Sequence, residues 1–157
     1  MPFPARVHSF TAETELPLPR AEVFAFFADA ANLQRITPPE LGFEIRSAMP
    51  VELREGTLIE YRLRLLGIPF GWTTRIAAWD PPARFVDEQL RGPYRQWVHE
   101  HAFTAVGERT RMRDTVRWSL PMQPFGELAY PLVKFQIGRI FAYRETAIRE
   151  LLRERMG

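Results

Sequence analysis

LAYPLVKFQIGRIFAYRETAIRELLRERM, residues 128–156, is the stretch that decides the fold. Pro131 is tolerated in a first helical turn, where its missing N–H costs nothing, so a regular helix is expected from there. From residue 131 to 155 it would run ~37 Å at 1.5 Å per residue. At 100° per residue Val133, Ile137, Ile140, Phe141, Ile148, Leu151 and Leu152 share one side. Arg139, Arg149, Glu150 and Arg153 turn away from it. Such a helix is not stable alone in water and needs a broad apolar partner. The rest of the chain offers mostly strands, so the expectation is one long helix lying across a curved sheet. One residue on the stripe does not suit a plain core. Arg144 projects near its centre, between Ile137, Ile140, Phe141 and Ile148. A guanidinium there lines a cavity or joins an ion pair, because a buried charge without a partner is costly. Otherwise it snorkels to the sheet edge.

Upstream, residues 5–16 alternate loosely and read as a first strand, ended by Pro17 and Pro19. Pro19-Arg-Ala-Glu22 opens a short helix, with Glu22 in its first turn and Val23, Phe24, Phe26 and Phe27 as its apolar side. Asp29 is placed to cap a second short helix holding Asn32, Leu33 and Ile36. Thr37-Pro-Pro stops it, because the residue before proline avoids the helical region. Six strands then follow at residues 43–49, 57–66, 72–79, 84–90, 94–105 and 110–120. Turns at Glu55-Gly56, Gly67-Ile-Pro-Phe-Gly71, Asp80-Pro-Pro82, Gly92-Pro93 and Val106-Gly107-Glu108 separate them. Adjacent strands with tight turns imply an antiparallel sheet. Helices gathered at one end and on one face imply an α+β architecture. At 157 residues, one domain over residues 1–157 is the expectation.

The composition, 46% hydrophobic and 25% charged, is that of a globular chain. Every cationic residue but Lys134 is Arg, and the arginines are scattered among acids at a net charge of only +2. That is a compositional bias and not a nucleic-acid surface. No Cys occurs, which excludes disulfides, thiolate metal sites and a Cys nucleophile. No apolar run approaches a membrane span. Residues 1–10 lack a basic region followed by an apolar run, so a cytoplasmic location is the default expectation. No phosphate-binding Walker loop, dinucleotide fingerprint, Gly-x-Ser-x-Gly elbow or zinc-protease motif is found.

The chain resembles the START-like, helix-grip superfamily (the START/Bet v 1-like fold), and within it bacterial members of the polyketide cyclase/dehydrase or SRPBCC type. The resemblance covers essentially the whole chain and rests on element order and on local stretches. These are Leu16-Pro-Leu-Pro-Arg-Ala-Glu-Val-Phe24, Asn32-Leu33, Thr37-Pro-Pro39 and Phe85-x-Asp87-x-Gln89. They continue with Gly92-Pro-Tyr94-x-x-Trp97-x-His99-x-His101-x-Phe103, Asp114-x-Val116 and Phe141-x-Tyr143-Arg144. The resemblance implies a sheet of about seven antiparallel strands wrapped around the C-terminal helix, with two short helices after the first strand. It also implies a cavity between sheet and helix that takes an apolar or amphipathic small molecule. Some members only bind; others cyclise, dehydrate or hydrolyse, so fold kinship leaves function open.

Trp97, His99, His101 and Phe103 alternate, so all four project from one sheet face. Side chains two apart on a strand are rooted ~6.5–7 Å apart. On the neighbouring strands Phe85, Asp87 and Gln89 share a face, as do Met112, Asp114, Val116 and Trp118. If the three faces coincide, one surface carries two His, two Asp, one Gln and a ring of aromatics, the make-up of a small-molecule pocket. Tyr61, Trp72 and Thr74 suit the same side from their strands, and Ile137, Phe141 and Arg144 from the helix. Three uses are open: a metal held by His99, His101 and Asp87 or Asp114; acid/base chemistry by a histidine oriented by Asp87 or Asp114; or hydrogen-bonded sheet residues, with both aspartates and Arg144 in one ion-pair network. The expectation carried forward is a cavity for a lipid, quinone or polyketide-like molecule, without metal or cofactor. A His–Asp cyclase/dehydratase is the alternative, and an interaction module with a vestigial pocket the second. The 67–71 and 92–94 loops are candidates for the mouth.

Overall fold

The computed structural model describes residues 6–156, with side chains through residue 154. Strand β1 (His8–Leu16) leads into α1 (Arg20–Ala28), α2 (Asn32–Arg35) and a 3-10 turn at Pro39–Leu41. Then come β2 (Glu44–Ile45), β3 (Leu58–Leu65), β4 (Ile68–Asp80), β5 (Arg84–Arg91), β6 (Gln96–Val106) and β7 (Arg109–Ser119). A 3-10 segment at Phe125–Ala129 hands the chain to α3 (Tyr130–Met156), one residue either side of the expected 131–155. The seven strands form one antiparallel sheet in the order β1-β7-β6-β5-β4-β3-β2. Ala5, expected in the first strand, lies outside the described residues. No described helix is long and apolar enough to cross a membrane.

Strict alternation builds the concave face. Along β7 every second side chain from Thr110 to Trp118 is buried. Two irregularities bend the sheet: Ala77 is an extra residue between the pairs Ile76–Asp87 and Ala78–Val86, and Leu90 is extra between the pairs of Thr74 and Thr73. Such bulges add twist and curl. Along α3, Val133, Ile137, Phe141, Ile148 and Leu152 are buried, and Arg144 sits in the same seam. His8 of β1 contacts Glu127 at 2.7 Å, tying the first strand to the lead-in of α3.

Two expected elements differ. The strand expected at 43–49 shrinks to Glu44–Ile45. The amides of Arg46 and Ser47 both donate to the carbonyl of Glu60, at 2.7 and 3.2 Å, so the ladder ends in a two-on-one irregularity. The connection expected at 67–71 is only Leu66–Gly67, with φ of 53° and 81°, and Leu65 pairs directly with Ile68. Two positive φ values are what a primed two-residue hairpin needs. Residues 68–71 therefore continue the sheet instead of forming a loop.

The core divides in two. One cluster gathers Leu16, the α1 residues Val23, Phe24, Phe26 and Phe27, then Phe85, Phe103, Met112, Ile148 and Leu152. The other gathers Leu63, Leu65, Trp72, Tyr94, Val116, Trp118 and the first half of α3, from Val133 to Phe141. Sheet and helix are thus pinned together at both ends, with a hollow between.

Candidate functional site

The hollow is a cavity of about 150 Å³. Its wall includes Tyr61, Trp72, Thr74, Phe85, Asp87, Trp97, His99, His101, Ile137, Phe141 and Arg144. Five other candidates lie outside that wall, Asp114 of the histidine cluster among them. Phe103 and Met112 are packed solid between sheet and α1, where Phe24 and Phe27 meet Phe103 at 5.4 and 5.6 Å between ring centroids. Trp118 is buried beside His8 and Tyr130. Gln89 clamps the 92–94 turn: its Nε2 donates to the Tyr94 carbonyl at 2.7 Å and its Oε1 accepts from the Tyr94 amide at 3.2 Å. A Cβ on residue 92 would meet the end of that side chain and push it out of the clamp. The inner face is longer than the hollow, and its ends are filled by the protein's own side chains.

At the junction of the two core clusters stand His99, His101, Asp87 and Asp114. Cross-strand pairing sets Asp87 opposite His99 and Asp114 opposite His101. The short contacts run diagonally instead: His99 Nε2 to Asp114 Oδ1 and His101 Nε2 to Asp87 Oδ2, both 2.7 Å. The two rings stack, with centroids 3.7 Å apart. Phe85 stacks on His101 at 4.1 Å, and Phe141 meets the edge of His99 at 5.5 Å. Each histidine is closed in by one of the two apolar clusters.

Electrostatics assigns the protons. Burial alone would raise both aspartates, but hydrogen bonds from the histidines outweigh it and hold them below the usual carboxylate range. Ionised carboxylates only accept, so both Nε2 atoms donate. His101 is lowered by burial but raised more by its contacts with Asp114 and Asp87; its Nδ1 lies 3.2 Å from Asp114 Oδ1, too far off line for a hydrogen bond. Burial, with the charge of His101 beside it, lowers His99. The surroundings thus favour the charged form of His101 and the neutral form of His99, whose Nδ1 lies 4.0 Å from Asp87. Burial, then the charge of Asp87, pushes the Tyr61 phenol up, so it stays protonated; its hydroxyl shares a hydrogen bond with Thr74 at 3.0 Å.

The expected ion pairing of Arg144 with the aspartates is not formed. Among the described residues no carboxylate oxygen lies within 4.0 Å of its guanidinium, and one oxygen of each aspartate faces a histidine instead. Its guanidinium carbon stands 5.3 Å from the Phe141 ring centroid, and its Nη2 is buried with no hydrogen-bond partner. Asp87, His99 and His101 offer ligand atoms within 4.8 Å of one another, the group best placed to hold a metal. Their spacings of 2.7 and 4.0 Å are uneven for ligands about 2.0–2.2 Å from one zinc ion and suit hydrogen-bonded pairs.

The sequence reading placed Tyr94 only in a candidate mouth loop, and missed Phe43, Leu53, Leu33 and Thr37 in the wall. Tyr94 precedes the regular alternation of β6, and the others come from loops and α2, where no periodicity marks an inward side chain.

A concave antiparallel sheet gripping a C-terminal helix over a mixed apolar and polar hollow defines a START-like helix-grip domain. The family described as polyketide cyclase/dehydrase and lipid transport matches residues 16–146, and the chain belongs to it. Among solved structures it is similar to an aromatase/cyclase from Streptomyces sp. R1128, at 18% identity and a TM-score of 0.78 over 97% of each chain. A START superfamily protein from Mycobacterium smegmatis aligns at 12% identity and TM-score 0.70, over 94% of this chain and 98% of that one. Norcoclaurine synthase from Thalictrum aligns at 13% identity and TM-score 0.73, over 99% and 100%. At these identities the likeness is one of fold. No curated protein matches by sequence.

Proposed function

We propose that the chain binds a small hydrophobic or amphipathic molecule in the hollow between sheet and α3. The observation that carries this reading is a cavity walled by aromatic and aliphatic side chains, with polar groups converging at one side. That is the form of a small-molecule site: area for affinity, a few fixed polar atoms for orientation. The family's description, which joins cyclisation with lipid transport, supports the same class of ligand. Native mass spectrometry of the purified protein tests it. The expected result is a retained small molecule, or uptake of N-phenyl-1-naphthylamine at one equivalent with a change in the fluorescence of Trp72 and Trp97. Absence of both would end the reading.

A second reading, a cyclase or dehydratase, is favoured by the state of His99. A neutral imidazole oriented by an ionised Asp114 and bordering the cavity is a general base in waiting. The imidazolium of His101 next to it could supply a proton. The aromatase/cyclase of the same fold makes this chemistry reasonable to test. In D2O, the protein would be expected to speed exchange of the acidic protons of a bound β-diketone, and His99→Gln to abolish that rate while leaving binding within about threefold. Equal exchange by both proteins would leave the chain a binder.

A further inference from the structure

We propose that the ligand is a carboxylic acid with a flat apolar body, its carboxylate seated on Arg144. This rests on the binding reading above and names the chemistry of its ligand. The guanidinium lies in the buried seam of α3 and borders the cavity, yet its Nη2 has no hydrogen-bond partner. A buried donor of this kind is normally met. Neither aspartate of the cluster brings an oxygen within 4.0 Å of it, and each is hydrogen-bonded to a histidine, Asp114 to His99 and Asp87 to His101. Turning either carboxylate toward Arg144 would disturb its 2.7 Å contact with a histidine. The missing acceptor therefore comes from the ligand. Guanidinium offers a planar fork of donors that matches a carboxylate and is poorly used by a hydroxyl.

The remaining wall selects the body. Tyr61, Trp72, Tyr94, Trp97, Phe85 and Phe141 surround the space. Tyr61 and Trp72 are nearly parallel at 16°, while Trp97 stands at 90° to Trp72, which leaves faces and edges for an aromatic guest. Phe141 is shared between Arg144 above it and the edge of His99, so the charged end and the histidine pair adjoin. An acid held on Arg144 would present its neighbouring carbons toward His99.

Calorimetric titration with 2-naphthoate, 2-naphthylmethanol and octanoate tests this on the unaltered protein. Naphthoate is expected to bind at least about tenfold more tightly than the alcohol, the ratio one charge-assisted hydrogen bond supplies. In Arg144→Met, whose fold is checked by its thermal transition, the acid should fall to the affinity of the alcohol, which itself stays within about threefold. Arg144→Lys should fall between. Equal binding of acid and alcohol by the unaltered protein would overturn the carboxylate and leave the cavity reading intact. Octanoate binding more tightly than naphthoate would overturn the flat body alone. Failure of all three probes to bind would overturn the cavity reading together with this one.

Discussion

Arg144 is a cost to the fold. Its buried Nη2 has given up water and gained no acceptor. Arg144→Met keeps the stem and removes the unmet donor, so thermal unfolding should occur at the same temperature or higher; a loss of more than about 2 kcal/mol would reveal a pairing with Asp87 or Asp114 after all. The aspartates are the opposite case. Asp114 has a folded-state pKa below its unfolded value of about 3.9, so its stabilisation is present above that pH and lost as pH falls through the folded pKa. His101, raised on folding, adds stability below its unfolded pKa of about 6.5, which is lost as pH rises through its folded value. Asp114→Ala should cost about 3–5 kcal/mol at neutral pH by leaving His99 Nε2 without its acceptor and removing the carboxylate beside His101, as read from urea unfolding. His101→Gln should remove the part of the alkaline decline above about pH 6.5 that belongs to this group. The alternation of residues 97–103 was enough to place both histidines inward. The diagonal pairing was not legible, because it depends on side-chain rotamers and on the β5–β6 register, which the Gly92-Pro93 turn signal does not specify.

At the scale of the element, α3 was the most legible part of the chain, because the 3.6 period runs unbroken over its length. Leu152, fully buried against the α1 cluster, and Leu132, 59% exposed, lie on opposite sides of that period. Leu152→Ala should cost about 2–5 kcal/mol and Leu132→Ala less than about 0.5, measured by denaturant unfolding. The outer side near the start of α3 is less polar than the pattern implied, with Phe135 72% exposed. The hairpin at Leu66–Gly67 was misjudged because the glycines at 67 and 71 drew the turn too far. The chain instead bends on a leucine at a φ of 53°, a conformation leucine adopts at a cost. Leu66→Asn should therefore stabilise by about 0.5–1 kcal/mol without touching the cavity, visible as a higher melting temperature. An unchanged or lower transition would mean that the turn relaxes to another geometry.

Across the whole molecule, curvature and hollow were inferred by resemblance more than read from residues, since the bulges at Ala77 and Leu90 carry no sequence signal. The structure supplies a physical reason for the hollow to persist. Two apolar clusters fix sheet and α3 together on either side of it, and four ionisable groups occupy the boundary between them. Collapse would strip those groups of their contacts, while filling the gap with apolar side chains would bury charge against them. An occupant that covers the aromatic wall and meets Arg144 removes this compromise, so ligand and fold should stabilise one another. At a hundred times its dissociation constant, a ligand that binds only the folded chain adds about 2.7 kcal/mol. For a domain of this size that raises the melting temperature by about 5–11 °C. Ile140→Trp, which adds bulk at the cavity wall, should fold and yet lose most of that shift. If it instead keeps the full shift while the probe still quenches Trp72 and Trp97, the ligand lies outside the hollow and the two-cluster account of why it stays open loses its functional meaning.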